Sequence, residues 1–135
     1  MKKVFVDSSV LFTAVNSPLG GSAKLFTVKN IELVTSILVL TEVERNVRKK
    51  LQSYHLERFF MLVDQLKIIS QTPKDLFIRK AKEVIVPKDA IILAEAKQAK
   101  ADYLVTLDKK HFLTPGAKKF LSPQKIATPK MLFTL

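Results

Sequence analysis

What this chain has little of narrows it first. It contains no cysteine, which excludes a disulfide framework and any thiolate-ligated metal site and fits a reducing compartment. Glycine occurs three times in 135 residues, too sparsely for the glycine-rich loop that cradles nucleotide phosphates. No uninterrupted apolar run approaches the roughly 18 residues of a membrane span. Met1-Lys2-Lys3 followed by apolar residues faintly resembles a signal peptide, but Asp7 interrupts the apolar stretch too early. Acids are scarce as well: 12 stand against 23 lysines and arginines, a formal net charge of +11. With 47% hydrophobic residues the chain is not of a disordered type, and its length suits one domain with a sizeable core. No repeat, low-complexity tract or boundary divides it. Residues 1–135 therefore read as a single domain, cytoplasmic and without a membrane partner.

The excess of positive charge favours a polyanionic partner, above all nucleic acid, through phosphate neutralisation and counterion release. Solubility is the plainer explanation of the same charge. The charge is unevenly placed. From Lys109 onward there are six lysines and no acid, and Arg45, Arg48, Lys49 and Lys50 form a second cluster.

Apolar, strand-favouring runs recur between helical patterns. Val4-Phe5-Val6 reads as a fully buried strand that runs straight into Asp7-Ser8-Ser9. Ile31 to Thr35, Leu66 to Ile69, Tyr103 to Thr106 and Lys125 to Ala127 read as further strands. Between them, Ser22 is expected to cap a helix reaching about Lys29. Ser36 is expected to cap a longer one, with Leu40, Val43, Val47 and Leu51 as its apolar stripe. Pro87 opens an alanine-rich helix, Pro115-Gly116 breaks a short one, and Thr128-Pro129 starts a last one. Alternating strands and helices predict an α/β fold: a three-layer α/β/α sandwich on a mostly parallel central sheet of four to five strands.

In such a sheet ligands bind beyond the carboxyl ends of the strands, at the point where strand order reverses. Two of the twelve acids fall at strand ends: Asp7 after Val4-Phe5-Val6, and Asp108 after Leu104-Val105-Thr106-Leu107. If those strands are neighbours, the two acids face each other. Asp89 lies in the first turn of the helix leading to the second of them, and Glu42 in the helix after Ile31–Thr35. Taken singly, each has an ordinary reading: a cap for Asp89, turn residues for Asp7 and Asp108, a solvated helix position for Glu42. Taken together, four acids at one cleft repel each other unless cations hold them. Oxygen ligands suit Mg²⁺ or Mn²⁺, which can activate water and stabilise a phosphoryl transition state. The apolar stripe places Glu44 nearer the buried face than Glu42. Ile37-Leu38-Val39-Leu40, apolar on all sides, suggests a first turn buried all round, which brings Glu42 back in. A helical wheel does not choose between the two.

At this point the chain resembles the PIN-domain family over nearly its whole length. Val4-Phe5-Val6-Asp7-Ser8-Ser9-Val10-Leu11 looks like the family's opening strand and first acid. Val34 to Val43 looks like its second segment, with Glu42 rather than Glu44 as the acid. The strongest block is Lys88-Asp89-Ala90-Ile91-Ile92-Leu93-Ala94-Glu95-Ala96 followed by Ala101 to Phe112, and Ile126 to Phe133 resembles the closing strand and helix. Ser9 stands where many members have asparagine, and Lys100 where glycine often ends the helix. The resemblance implies a Mg²⁺- or Mn²⁺-dependent endoribonuclease that hydrolyses RNA phosphodiester bonds with metal-activated water. Asp7, Glu42, Asp89 and Asp108 would be its acidic cluster. It also implies that the chain could be the toxin of a toxin–antitoxin pair, with an antitoxin protein as partner and a homodimer as a common state.

Ser9 and Thr106, beside the acids, are candidates for hydrogen bonds to a carboxylate, and a local turn role suits them equally. His55 and His111 have no cysteine companions and make no zinc motif, so both are assigned ordinary roles. Asp102 reads as a turn residue. Tyr54, Phe59 and Phe60 could stack bases, although apolar packing is the commoner use. The rival to the enzyme is a catalytically inactive PIN-like module that binds nucleic acid or a protein. DNA cleavage and phosphatase chemistry would use the same ligands.

Overall fold

Val4, Phe5 and Val6 are fully buried, as befits a strand covered on both faces, whose apolar residues fall at successive positions. In the computed structural model, which describes residues 1–134, they form β1 (Lys2–Val6). The chain turns at once into α1 (Ser8–Asn16) and α2 (Gly21–Leu25). β2 (Ile31–Ser36) leads through α3 (Ile37–Lys50) and α4 (His55–Val63) to β3 (Lys67–Ile69). α5 (Asp75–Lys82) and α6 (Pro87–Gln98) cross to β4 (Tyr103–Val105). α7 (Lys109–Phe112), α8 (Pro115–Leu121), β5 (Lys125–Ala127) and α9 (Pro129–Phe133) follow.

All strand pairings are parallel, in the order β3-β2-β1-β4-β5. The chain steps outward from β1 to β3 on one side, then crosses to β4 and steps outward again. Right-handed crossovers place α1 to α4 on one face and α5 to α8 on the other. The packing follows suit: α1 meets α2, α3 and α4, while α5, α6 and α8 pack together. This is the expected three-layer α/β/α sandwich with its switch point between β1 and β4. Val6 pairs with Val105 there, so Asp7 and Thr106 leave the sheet side by side. No helix among the described residues is long and apolar enough to cross a membrane.

Local chemistry sets most boundaries. Ser36, Thr114 and Thr128 each accept a backbone N–H three residues on, at 3.1–3.2 Å, capping α3, α8 and α9. Three expectations need correction. Gly20, not Ser22, takes the cap position of α2; Ser22 is buried within that helix, which ends at Leu25. The short helix α7 does end ahead of Pro115-Gly116, but those two residues already form the first turn of α8, since proline suits a helix start. The first turn of α3 is not buried all round. Ile37 and Leu38 are 50% and 40% exposed, and the buried stripe is Val39, Val43 and Val47.

Lys100 stands at the end of α6 with φ 56°, the left-handed region that favours glycine. Its N–H bonds the Lys97 carbonyl at 3.1 Å and that of Ala101 bonds Ala96 at 3.3 Å, the pair of contacts that defines a Schellman end. The turn keeps the geometry for which glycine is the usual solution. Lys100→Gly is expected to raise stability by about 1 kcal/mol, read as a higher urea midpoint at unchanged slope; a lower midpoint would refute the strain.

Glu95, on the buried side of α6, is 8% exposed, and its Oε1 has no hydrogen-bond partner. Burial pushes its pKa up to about 7, against a lowering hydrogen bond from Ser36. Between the ordinary value of 4.5 and about 7, the folded protein holds a proton that the unfolded chain has lost. The stability tied to this group is therefore greatest below that window, falls as pH rises through it, and stays low above it. Glu95→Gln is expected to melt higher than wild type at about pH 8, with the gap narrowing by about pH 5. Thermal denaturation followed by circular dichroism measures this, and a pH-independent gap would exclude the mechanism.

Candidate active site

The turn from β1 into α1 leaves Asp7 at the cap position of that helix, yet its side chain caps nothing. It is 3% exposed, and hydroxyls meet it instead. Ser9 Oγ and Thr106 Oγ1 donate to Asp7 Oδ2 at 2.8 and 2.7 Å. Each hydroxyl has one proton to give, and each also accepts a backbone N–H. Leu107 N donates to Ser9 Oγ and Asp108 N to Thr106 Oγ1, both at 3.0 Å. The Ser9–Thr106 separation of 3.4 Å follows from both hydroxyls donating to one oxygen. Serine at position 9 thus supplies both a donor to the acid and an acceptor for the loop after β4.

Asp7 Oδ1 is more lightly engaged. Ser8 Oγ lies 3.4 Å from it and 3.5 Å from Glu42 Oε1, both at the outer limit of a hydrogen bond. One hydroxyl with one proton thus stands between two carboxylates. Glu44 turns elsewhere and pairs with Arg48 at 3.1 Å along the surface of α3. Of the two glutamates, Glu42 is the one beside Asp7.

Asp108 caps α7, accepting from the His111 backbone N–H at 3.1 Å, while His111 Nδ1 lies 2.8 Å from Asp108 Oδ2. The same ring nitrogen is 3.8 Å from Asp89 Oδ2. Ligand atoms of Asp89, Asp108 and His111 all lie within 4.8 Å of one another. Asp89 sits in the first turn of α6 without capping it, and its Oδ2 is buried with no hydrogen-bond partner. Burial, with Asp7 and Asp108 nearby, raises its pKa despite the lowering effect of Lys88 and His111. Burial acts to raise Asp108 too, but hydrogen bonds from the His111 ring and backbone, with the charges of His111 and Lys88, outweigh it and hold that carboxyl low.

His111 is the site residue that sequence reasoning passed over. Its only signal is position, three residues after a strand-end acid on a short helix, where side chains three apart share a face. The remaining candidates keep ordinary places. Asp102 receives the Lys3 backbone N–H at 2.8 Å at the opposite edge of the sheet, His55 stacks on Tyr54, and Phe59 is buried.

The contacts chain the four acids together: Glu42 to Asp7 through Ser8, Asp7 to Asp108 through Thr106, and Asp108 to Asp89 beside His111. An unpartnered buried carboxylate oxygen facing a second carboxylate and an imidazole fits a divalent cation. The oxygen-rich donor set suits Mg²⁺ or Mn²⁺, and His111 Nδ1, 2.8 Å from Asp108 Oδ2, holds that carboxylate rather than adding a nitrogen ligand.

The family model for the PIN domain matches residues 4–116. No curated protein matches the sequence. The fold is similar to that of VapBC2 from Rickettsia felis bound to a DNA fragment from their promoter (TM-score 0.70, 20% identity, covering 84% of this chain and 94% of that one). It is also similar to a toxin–antitoxin complex from Klebsiella pneumoniae (0.67, 20%, 93% and 97%). VapBC-1 from nontypeable Haemophilus influenzae is a third likeness (0.66, 13%, 95% and 98%). At these identities the likeness bears on the fold.

Thr106→Val keeps the shape of a fully buried side chain but removes the donor to Asp7 and the acceptor for Asp108 N–H. A loss of about 1–3 kcal/mol is expected, measured by urea denaturation; an unchanged midpoint would show that the hydroxyl bears no weight there.

Proposed function

The chain belongs to the PIN-domain family, and on that premise we propose that it is a Mg²⁺- or Mn²⁺-dependent endoribonuclease hydrolysing RNA phosphodiester bonds. The observation that supports this most is the unpartnered, buried Asp89 Oδ2 beside Asp108 and His111. Such an oxygen is costly unless a cation satisfies it. Asp7, Asp89 and Asp108 would hold the cation, with Glu42 completing the set directly or through water. When bound, the cation supplies a nucleophilic water at neutral pH and offsets the charge that builds on the phosphodiester oxygens.

The chain's own residues prepare that site. Ser9 and Thr106 hold Asp7 Oδ2 from one side, and Oδ1, met only by the long Ser8 contact, would be the oxygen offered to a ligand. His111 orients Asp108, from its backbone N–H and from its ring. Lys88, whose charge acts to lower both Asp89 and Asp108, offsets part of the burial and acid–acid repulsion that raise Asp89. The +11 net charge draws the polyanionic substrate toward an acidic pocket that would otherwise repel it.

A cytoplasmic setting, an antitoxin partner and a homodimer belong to the same reading. Likeness to toxin–antitoxin complexes supports the partner. So does the exposure of Ile37, Leu38, Phe60 and Met61 on α3 and α4, since clustered exposed apolar side chains mark interaction sites.

Incubation of labelled RNA with wild type and Asp7→Asn, with Mn²⁺ or with chelator, tests the enzyme. Cleavage is expected only with the metal, and Asp7→Asn should lose more than the roughly 10–100-fold that loss of an outer-shell partner costs. Metal-dependent cleavage retained in Asp7→Asn would sink the assignment. RNA binding without turnover in the wild type would make the protein a binding module.

A further inference from the structure

Two surface cavities lie on the face of α5, α6 and α8. One, of about 430 Å³, is lined by Phe77, Phe120, Lys80, Lys97, Lys119 and the Glu83–Val84 turn, among others. The other, of about 370 Å³, is lined by that same turn together with Lys82, Lys110 and His111. The two adjoin at the Glu83–Val84 turn and follow one another along this face as an interrupted groove, whose near end is His111, at the acidic cluster. Gly116 marks the neck. A Cβ there would stand 3.2 Å from Val84 Cβ, and its φ is not positive. Close approach, not backbone freedom, is what its lack of a side chain provides.

We propose that this groove holds the RNA strand that flanks the cleaved phosphate, with phosphates met by the lysines and a base stacked on Phe120 or Phe77. The proposal rests on the nuclease reading for its starting point at His111. Three lysines line the outer cavity and two the inner, against Glu83 as the acid in both linings, a charge complement to a phosphodiester backbone. The volume of each cavity falls within the roughly 300–1,000 Å³ range of sites for small ligands and single nucleotides. Phe77 and Phe120 are half-buried, so each ring is anchored on one side and open on the other. Lys97 Nζ stands 5.3 Å from the Phe120 ring centroid and Lys74 Nζ 5.9 Å from that of Phe77. Cation beside aromatic is the pairing by which single strands are held without base readout.

The test is fluorescence anisotropy of a labelled 12-nucleotide oligouridine in chelator, across a salt series, so that binding is read apart from cleavage. The triple variant Lys80→Gln, Lys97→Gln, Lys119→Gln is expected to lower the slope of log affinity against log salt by about 2. Phe120→Leu, which keeps the apolar volume, is expected to weaken binding about 5- to 100-fold. Melting temperatures establish that both fold. The control triple Lys2→Gln, Lys29→Gln, Lys125→Gln, at the starts of β1, β2 and β5, should leave slope and affinity near wild type. Unchanged binding in both groove variants, an equal loss in the control, or an acidic peptide held as tightly through the same lysines would each overturn the groove. Groove-dependent binding by a protein that cuts no RNA would instead remove the nuclease reading and leave the groove standing.

Discussion

One carboxylate oxygen accepting two hydroxyls ties this structure together. Asp7 Oδ2 joins the end of β1 to the end of β4 through Ser9 and Thr106. Both hydroxyls then fix backbone N–H groups of the loop that carries Asp108. The bond from Thr106 spans 99 residues of sequence. Hydrogen bonds to a charged group contribute about 1.5–3 kcal/mol each, and these two fall where the sheet's strand order reverses. The same contacts tie the ends of the two central strands together and bring Asp7 and Asp108 to one edge.

The rest of the electrostatics follows from crowding. A chain with almost twice as many basic as acidic residues places Asp7, Glu42, Asp89 and Asp108 at one edge. The cost is visible in Asp89, whose pKa burial and neighbouring aspartates raise. Asp108 goes the other way because His111 and Lys88 compensate it. Two aspartates with opposite shifts, with ligand atoms 4.8 Å or less from a shared imidazole, are the arrangement that a bound cation would relieve.

Much of this can be read in the sequence. Successive buried residues in β1, serine and threonine caps, and proline at helix starts are local signals, and they place nearly every element. The parallel order follows from alternation. Periodicity does not choose between Glu42 and Glu44; the family resemblance names Glu42, and the contacts of Ser8 and Arg48 agree with it. Ile37 and Leu38 mislead because an apolar run looks buried whether it faces a core or an open surface. His111 has no motif partner, and its meaning lies in the approach of Asp89 from a helix 22 positions earlier. The positive φ of Lys100 is foreshadowed only by the family resemblance, which has glycine at that helix end; lysine itself is no signal for a left-handed turn.

The four acids come from four separate stretches, and the setting of Asp7 is completed by Thr106, from far later in the chain. A chain emerging from the ribosome therefore carries Asp7 for most of its synthesis without the hydroxyl that completes its setting. Until β4 has been made and inserted beside β1, only the half of the cluster built from Asp7 and Glu42 can exist. Whatever chemistry the edge supports is withheld until the central strands meet, a delay built into the order in which the residues are translated.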